Sequence, residues 1–337
     1  MLRERGQANP ISIMSWAVAG GHPPSRRKRS PIASTAFRLS SDINMNPPSP
    51  LKIDVAINVF RKPYQTALTL LSLLRHSGDS IDKIYFTIDA PGTEHLYDAL
   101  FERLAGRYIT FVPRFHYWVR SSKYRGFLFR YGIFRQSLRY QYAWESTDKK
   151  FLFITHNDVL YSADVLATYL QAINDNIGVG EVGMCWNCPA RSANVCSSER
   201  YLEYRPTAKE YDALILEHPG SRRKFYSRYR HDTAWPLPEC RLNEWACMIN
   251  MEKARRITSP YGDCTPFGAM HLDIATEWFY DVHRLGYTAA HVDRKGLYAH
   301  AWASADGSGH ALLFDAERYD AAEASARRIL EDEYEYA

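Results

Sequence analysis

The 337-residue chain has the composition of a folded protein, with 46% apolar residues, 24% charged residues and many aromatic side chains. This mixture excludes disorder over most of the length. The net charge of +4 is unevenly distributed, because residues 1–52 hold eight basic side chains against two acidic ones. The remaining residues hold 34 basic and 36 acidic side chains, so we do not expect a general nucleic-acid surface.

Residues 1–50 are rich in Ser, Pro, Arg and Asn without sustained periodicity, which predicts a disordered leader. No apolar run approaches the ~20 residues needed to span a bilayer. The longest early candidate, residues 11–20, precedes the basic cluster at residues 26–29, which is the wrong order for a secretory signal. We therefore expect no transmembrane segment and a cytoplasmic location, either free or peripheral to the inner membrane.

The chain after residue 50 begins with alternating strand and helix patterns. Short apolar runs predict buried strands at residues 53–60, 84–88, 108–112 and 151–154. Helical spacing of apolar side chains predicts helices at residues 63–78, 96–106 and 127–144. This alternation predicts an α/β fold with a mostly parallel, Rossmann-like sheet and helices on both faces.

The pattern becomes irregular after about residue 180, where Cys, Pro, Arg and Tyr occupy long loops. Order returns with an apolar segment, a helix, a strand and a final helix, at residues 245–251, 275–285, 287–292 and from about 316. We interpret residues 51–337 as a single domain.

Polar side chains follow three of the predicted strands, at the sheet edge where ligands bind in open α/β folds. They are the loop 58–62, Asp89 and the triplet His156-Asn157-Asp158. Carboxylate, amide and imidazole ligands at this edge suit Mg²⁺ or Mn²⁺ bridging to a diphosphate. The alternative is a turn in which Asp158 or Ser162 caps the next helix. The spacing leaves both open, and we expect the Asp158 side chain to face solvent.

Five motifs carry a resemblance to a known family. They are Asp54 to Pro63, Ile88 to Thr93, Phe151 to Val159 (FLFITHNDV), Trp245 to Asn250 followed by Asp273 to Tyr287, and His300-Ala-Trp302. They resemble motifs of the GT-A-type glycosyltransferases, chiefly the inverting family-2-like group. In the same order, the family motifs are the first strand and loop, the second-strand turn, the Asp-x-Asp metal motif, the acceptor-side elements and the late histidine. The resemblance covers about three-quarters of the chain.

The resemblance implies an inverting, metal-assisted transfer of a sugar from a nucleotide-diphosphate donor to an acceptor hydroxyl. The implied ligands of Mn²⁺ or Mg²⁺ are His156, Asp158 and His300. The implied donor contacts are Asn58, Phe60, Arg61, Asp89 and Arg130, to which Arg125 would add charge. The acceptor would be a glycan, a lipid-linked compound or a small molecule. Residues 51–180 would form the nucleotide-sugar half, residues 181–310 the acceptor half and residues 311–337 a C-terminal helix.

Two departures from the family pattern affect the implied site. His156 stands where the metal motif usually has its first Asp, so one carboxylate ligand is missing and weaker metal binding is expected. The carboxylate helix lacks the adjacent Glu-Asp pair and offers Asp273 and Glu277 instead. We assign the catalytic base to Asp273, which stands at a predicted helix start, and a supporting role to Glu277.

Four cysteines suggest a second metal site. Cys185 and Cys188 form a Cys-x-x-Cys knuckle, and Cys196 and Cys240 complete the four thiols that a structural Zn²⁺ needs. The alternative is buried free cysteines, and we expect Cys247, in an apolar strand, to belong to the core. The basic aromatic residues 226–232 form either part of an acceptor groove or a solvated loop.

Two other functions compete with glycosyl transfer. A sugar-phosphate nucleotidyltransferase should carry a glycine-rich loop after the first strand, and the loop 58–63 has no glycine. A catalytically degenerate module that only binds nucleotide sugars is favoured by the exchange at His156.

Overall fold

The computed structural model describes residues 51–115, 127–219, 235–270, 272–304 and 315–336. The predicted leader, Arg125 and the stretch 226–232 lie outside these residues. The residues that follow Pro48 belong to one compact unit, and the division into donor and acceptor halves stays a prediction. Among the described helices, none combines the length and the apolar character needed to cross a bilayer.

A seven-stranded sheet forms the centre of the protein. Its strands are β1 (Ile53–Val59), β2 (Ile81–Ile88), β3 (Tyr108–Phe111), β4 (Phe151–Thr155), β6 (Gly178–Val182), β7 (Leu242–Asn250) and β8 (Ala289–His291), in the order β3-β2-β1-β4-β7-β6-β8. β7 runs antiparallel to β4 and β6, and the other neighbouring pairs are parallel. A two-stranded ribbon pairs β5 (Val159–Tyr161) with β9 (Tyr298–His300). The predicted mostly parallel sheet is confirmed.

Helices connect and cover the strands. They are α1 (Pro63–Ser77), α2 (Asp98–Arg103), α3 (Gly132–Arg135), α4 (Gln141–Ser146), α5 (Val165–Ile173), α6 (Pro189–Ser192), α7 (Ala208–Glu217), α8 (Met251–Ile257), α9 (Thr276–Arg284) and α10 (Ala316–Tyr334). Short 3₁₀ turns occupy Gly78–Ser80, Glu94–Tyr97, Leu128–Arg130 and Cys185–Asn187.

Side chains that alternate along the central strands divide between two cores. In β4, Phe151 and Phe153 join one core, which α1, α5 and α10 cover, and Leu152 and Ile154 join the other, which α4, α8 and α9 cover. This alternation follows from the two-residue period of a strand. Helices therefore lie on both faces of the sheet, and both faces of its central strands are apolar, as the short apolar runs predict.

The predicted long helix over residues 127–144 is wrong. The structure has α3 and α4 instead, and Tyr140 between them has a φ of 64°, which no α-helix accommodates. The Asn58 Oδ1 atom accepts the Tyr140 N–H at 2.9 Å, so a side chain from β1 replaces the carbonyl that a continuous helix would supply. A tertiary hydrogen bond thus ends the helical pattern.

The strands β5, β6 and β9 escaped the sequence analysis because they are short and have little apolar periodicity. In β6, a Cβ atom at Gly178 would lie 3.1 Å from the Met248 carbonyl oxygen, so the close approach of β7 leaves little room for a side chain there. Glycine lowers the strand propensity of the same segment, which conceals it from a propensity-based analysis.

The C-terminal helix α10 fixes the start of α1. A buried carboxylate, Glu323, accepts hydrogen bonds from the backbone N–H groups of Tyr64 and Gln65, at 2.9 and 3.3 Å, and from Gln65 Nε2 at 2.9 Å. The Tyr319 hydroxyl accepts the backbone N–H of Lys62 at 3.0 Å. Lys62 has a left-handed φ of 56°, so these contacts hold a strained turn in place after β1.

We predict that Glu323→Ala lowers the free energy of unfolding by about 2 kcal/mol, because three donors at the start of α1 lose their acceptor. Glu323→Gln keeps one acceptor oxygen and should lose less. Urea unfolding followed by circular dichroism measures both. Glu331→Ala, on the same helix, removes a single exposed pair with Arg327 and should cost less than about 0.5 kcal/mol. Equal losses at positions 323 and 331 would contradict this account of α10.

Candidate functional site

The structure brings together the three predicted metal ligands, His156, Asp158 and His300. His156 and Asp158 follow β4, and His300 is the last residue of β9. Val159 pairs with His300 in the β5–β9 ribbon, and the Ala301 N–H donates to the Asp158 carbonyl at 2.9 Å. The ligand atoms of the three side chains all lie within 4.8 Å of one another.

Asp158 is the centre of this cluster and is only 4% exposed. Its Oδ2 atom accepts from Lys62 Nζ at 2.9 Å. Its Oδ1 atom is buried without a hydrogen-bond donor and lies 3.8 Å from His156 Nδ1 and 3.6 Å from His300 Nε2. One carboxylate oxygen and two imidazole nitrogens this close together form a donor set that fits a divalent cation.

Two expectations for Asp158 are therefore wrong. The side chain does not face solvent, because the β5–β9 ribbon and Lys62 enclose it. It does not cap the following helix either, since Asp164 caps α5 by accepting the Ala167 N–H at 3.0 Å. The carboxylate is consequently available as a ligand.

The electrostatic environment sets the protonation states that a cation requires. Burial raises the pKa of Asp158, but the charges of Lys62, His300 and His156 outweigh burial and hold the pKa well below its usual range. Burial lowers the pKa of His300 to about 4, so its imidazole is neutral at pH 7. An ionised carboxylate and a neutral imidazole are the forms that bind metal ions.

A buried carboxylate that the sequence analysis missed, Glu244, lies beside His156. Glu244 Oε1 lies 3.3 Å from His156 Nε2, on the opposite side of the ring from Asp158. Burial raises the pKa of Glu244, but the charge of Arg241, whose Nη1 atom lies 2.6 Å from Glu244 Oε2, outweighs burial and holds that pKa below its usual range. An Nε2–H directed at Glu244 leaves the Nδ1 lone pair for a cation, the usual support for a metal-bound histidine.

Arg241 also reaches the predicted catalytic base. Its Nη1 atom lies 3.3 Å from Asp273 Oδ1 and donates to the Ile274 carbonyl at 3.0 Å. Glu244, Arg241 and Asp273 therefore form a line of alternating charges that begins beside His156. The sequence signal for Glu244 and Arg241 was available: both are charged residues at the start of a segment that is otherwise apolar.

Asp273 and Glu277 occupy different surroundings. Asp273 lies in the loop before α9 with 17% of its side chain exposed, and Glu277 lies in the first turn of the helix. Glu277 lines a small cavity together with Leu272, Tyr280, Thr276 and residues 236–238. The structure thus joins Asp273 to the charged line and directs Glu277 towards this separate cavity.

The predicted donor contacts divide into a buried pair and exposed groups. Asn58 Nδ2 donates to Asp89 Oδ2 at 3.1 Å, which joins the carboxyl ends of β1 and β2. Arg139 Nε lies 3.9 Å from the same oxygen. Arg61 is exposed beside the Phe60 ring, 5.7 Å from its centroid, and Arg130 is exposed at the end of the turn Leu128–Arg130.

The four predicted zinc ligands line one cavity of about 10 Å³, which also includes Glu239. Burial raises the pKa values of the thiols of Cys185, Cys188, Cys196 and Cys240. Within the described part of the chain, the group His156, Asp158 and His300 is the one whose ligand atoms come within 4.8 Å, so these sulfurs do not reach that spacing. Cys247 is fully buried in the core, as expected.

No protein-family model and no curated protein matches the sequence. Searches of solved structures find glycosyltransferases. The mannosyltransferase PcManGT from Pyrobaculum calidifontis, in complex with GDP-Man and Mn²⁺, is 13% identical to this chain, with a TM-score of 0.44. The match covers 72% of this chain and 55% of the PcManGT chain. The galactosyltransferase LgtC, with donor and acceptor sugar analogues, is 14% identical over 61% of this chain and 60% of its own, with a TM-score of 0.34. The mannosyltransferase Ktr4p from S. cerevisiae, with GDP, is 12% identical over 64% and 61%, with a TM-score of 0.31.

We predict that Asp158→Asn weakens Mn²⁺ binding by at least about 100-fold, because the amide cannot supply the anionic oxygen. Asparagine is preferred to alanine, since alanine would leave Lys62 buried without a partner at a cost of about 3–5 kcal/mol. Mn²⁺ titration followed by electron paramagnetic resonance measures free metal directly. His95→Ala removes an exposed histidine outside the cluster and should leave binding unchanged. Unaltered Mn²⁺ binding by Asp158→Asn would exclude this metal site.

Glu244→Gln should weaken Mn²⁺ binding by about 10–100-fold, the usual effect of losing the partner of a metal-bound histidine. The change keeps the shape of the side chain but removes the charge that fixes the His156 tautomer. The same titration measures it, with Glu252→Gln as the matched control, because the Glu252 side chain is 64% exposed on α8. Equal affinities for both variants would show that Glu244 does not orient the ligand.

Proposed function

We propose that this chain is a metal-dependent glycosyltransferase of the GT-A type, which transfers a sugar from a nucleotide-diphosphate donor to an acceptor hydroxyl. The observation that carries the proposal is Asp158 Oδ1, a buried carboxylate oxygen without a hydrogen-bond donor that faces His156 and His300. The cluster lies beyond the carboxyl end of β4, where ligands bind in open α/β sheets. Two imidazole ligands favour Mn²⁺ over Mg²⁺.

The donor side combines the cation with fixed protein charges. A bound Mn²⁺ would neutralise the charge that develops on the leaving diphosphate. Lys62, 2.9 Å from Asp158, places a further positive charge beside that position. We assign the buried Asp89, held by Asn58, to the nucleotide, and the half-buried Phe60 and the exposed Arg61 and Arg130 to the rest of the donor.

On the acceptor side, we assign the general base to Asp273. An inverting transfer needs one carboxylate that takes the proton of the acceptor hydroxyl as the new glycosidic bond forms. Arg241 holds the Asp273 carboxylate 3.3 Å away and is itself held by Glu244, which supports a fixed position for the base. Glu277 has the supporting role, in the first turn of α9.

The alternatives predict different products. A nucleotidyltransferase should use a nucleoside triphosphate and release pyrophosphate, and a binding module should bind nucleotide sugars without consuming them. Two imidazoles and one carboxylate also bind iron in non-haem oxygenases. The position of Lys62 beside the carboxylate favours an anionic ligand such as a diphosphate instead.

The predicted Zn²⁺ at Cys185, Cys188, Cys196 and Cys240 stays a separate proposal. The shared cavity, which has room for about one water-sized sphere, supports it. Tetrahedral binding at about 2.3 Å per sulfur would require the thiols to approach one another, and the zinc content of purified protein decides between this site and buried free cysteines.

We predict that Asp273→Asn separates binding from catalysis. Ile274 O and Glu244 still engage Arg241, so the fold should hold, but the amide cannot accept the proton and the transfer rate should fall by about 10²–10⁴. Rates are measured with UDP-, GDP-, CMP- and dTDP-sugars, chosen by thermal shift with Mn²⁺. Glu277→Gln is the matched control and should lose clearly less.

The same assay tests the function itself. We expect release of nucleoside diphosphate from one of the four donors with Mn²⁺ and none after chelation. Donor binding without turnover would favour the binding module, and pyrophosphate release from a triphosphate would favour the nucleotidyltransferase. Inverted anomeric configuration of the product, read by NMR, is expected for a single base at Asp273.

A further inference from the structure

Trp186 is a large aromatic side chain held at the surface, with 58% of its area exposed. Within residues 181–190, all of which the structure describes, it is the one exposed residue. An indole in water contributes little of the stabilisation that it would give in the core. Its exposure is therefore not explained by the stability of the fold.

The Trp186 ring is the first of three neighbouring rings that lead to the candidate metal ligands. Its centroid lies 5.5 Å from that of Trp245, with 34° between the ring planes. Trp245 is buried and stacks on His300, at 4.5 Å and 17°. His300 Nε2 in turn lies 3.6 Å from Asp158 Oδ1. Three rings thus connect an exposed indole to the metal cluster.

Hydrogen bonds hold the backbone that precedes Trp186 against the rest of the protein. Cys185 and Cys188, on either side of the turn that carries the indole, line the cysteine cavity. The Gly183 and Met184 N–H groups donate to the carbonyls of Arg241 and Glu239, both at 2.8 Å, which ties the segment to the chain entering β7. Because this backbone is already held in place, it loses little conformational entropy when a ligand stacks on the indole.

We propose that Trp186 is the platform on which a sugar ring of the acceptor stacks, which makes the acceptor a glycan or glycoside. This inference rests on the proposed function and deepens it. The apolar C–H face of a pyranose fits the electron-rich face of an indole, and the indole is amphipathic enough to remain exposed when no ligand is bound. Trp245 and His300 connect this platform to the candidate metal ligands.

The test measures acceptor binding and donor use separately. Methyl α- and β-glycosides of glucose, galactose, mannose and N-acetylglucosamine are titrated calorimetrically into the full chain with Mn²⁺ and a nucleoside diphosphate. We expect at least one glycoside to bind, about tenfold more weakly to Trp186→Ala and with intermediate affinity to Trp186→Phe. Tyr261→Ala, which removes another exposed aromatic ring outside the stack, should bind as the wild type does.

The KM for the nucleotide sugar, measured in its hydrolysis by water, should change less than about twofold in Trp186→Ala. Equal glycoside affinity in Trp186→Ala, or no binding of any glycoside to the wild type at millimolar concentration, would overturn the platform. A parallel loss of donor and glycoside binding would also overturn it, by giving Trp186 a structural role. A wild type that hydrolyses no donor contradicts the proposed function instead, and the glycoside titration still decides the platform.

Discussion

The ion pair between Asp158 and Lys62 is the constraint on which the site depends. A carboxylate this far from water is costly unless positive charge and hydrogen bonds compensate for lost solvation. Lys62 supplies that charge, but only because α10 holds the strained turn after β1 through Tyr319 and Glu323. The β5–β9 ribbon supplies the remaining neighbours by pairing Val159 with His300. Elements from the first strand to the last helix are thus needed to keep one carboxylate ionised and enclosed.

Beyond His156, opposite charges alternate along the edge of the sheet. Glu244 contacts His156, Arg241 contacts Glu244, and Asp273 contacts Arg241. Each buried charge has a partner of opposite sign, which limits the desolvation cost of the whole line. Because Arg241 is shared, the position of Asp273 depends on the same contacts that orient His156. The antiparallel strand β7, inserted beside β4, makes this arrangement, since it brings Glu244 next to the residues that follow β4.

The sequence predicts the features that repeat over many residues and misses those that depend on single distant contacts. Apolar runs located β1, β2, β3 and β4, and the polar triplet after β4 located the metal cluster. Lys62 was missed because its role depends on a left-handed turn that α10 stabilises from the other end of the chain. The break in the predicted long helix depends on one hydrogen bond, which the Tyr140 N–H donates to the Asn58 side chain. The exposure predicted for Asp158 was wrong because the β5–β9 ribbon helps to enclose it. Each strand of this ribbon has three residues, which is too short to recognise in the sequence.

Under the proposed function, His156 stands where the metal motif usually has an aspartate, which would change the balance of charge at the site. With two carboxylate ligands, a divalent cation would be formally neutralised, whereas one carboxylate and two neutral imidazoles leave it a net charge of about +1. The positive charge of Lys62 partly offsets the negative charge of Asp158 as well. The expected cost is weaker metal binding, and the expected gain is a stronger attraction for the diphosphate as its negative charge increases.

The two imidazoles are also oriented by different means, His156 by the charge of Glu244 and His300 by stacking on Trp245. Trp245 also lies against Trp186, so the His300 ring and the proposed acceptor platform share one buried neighbour.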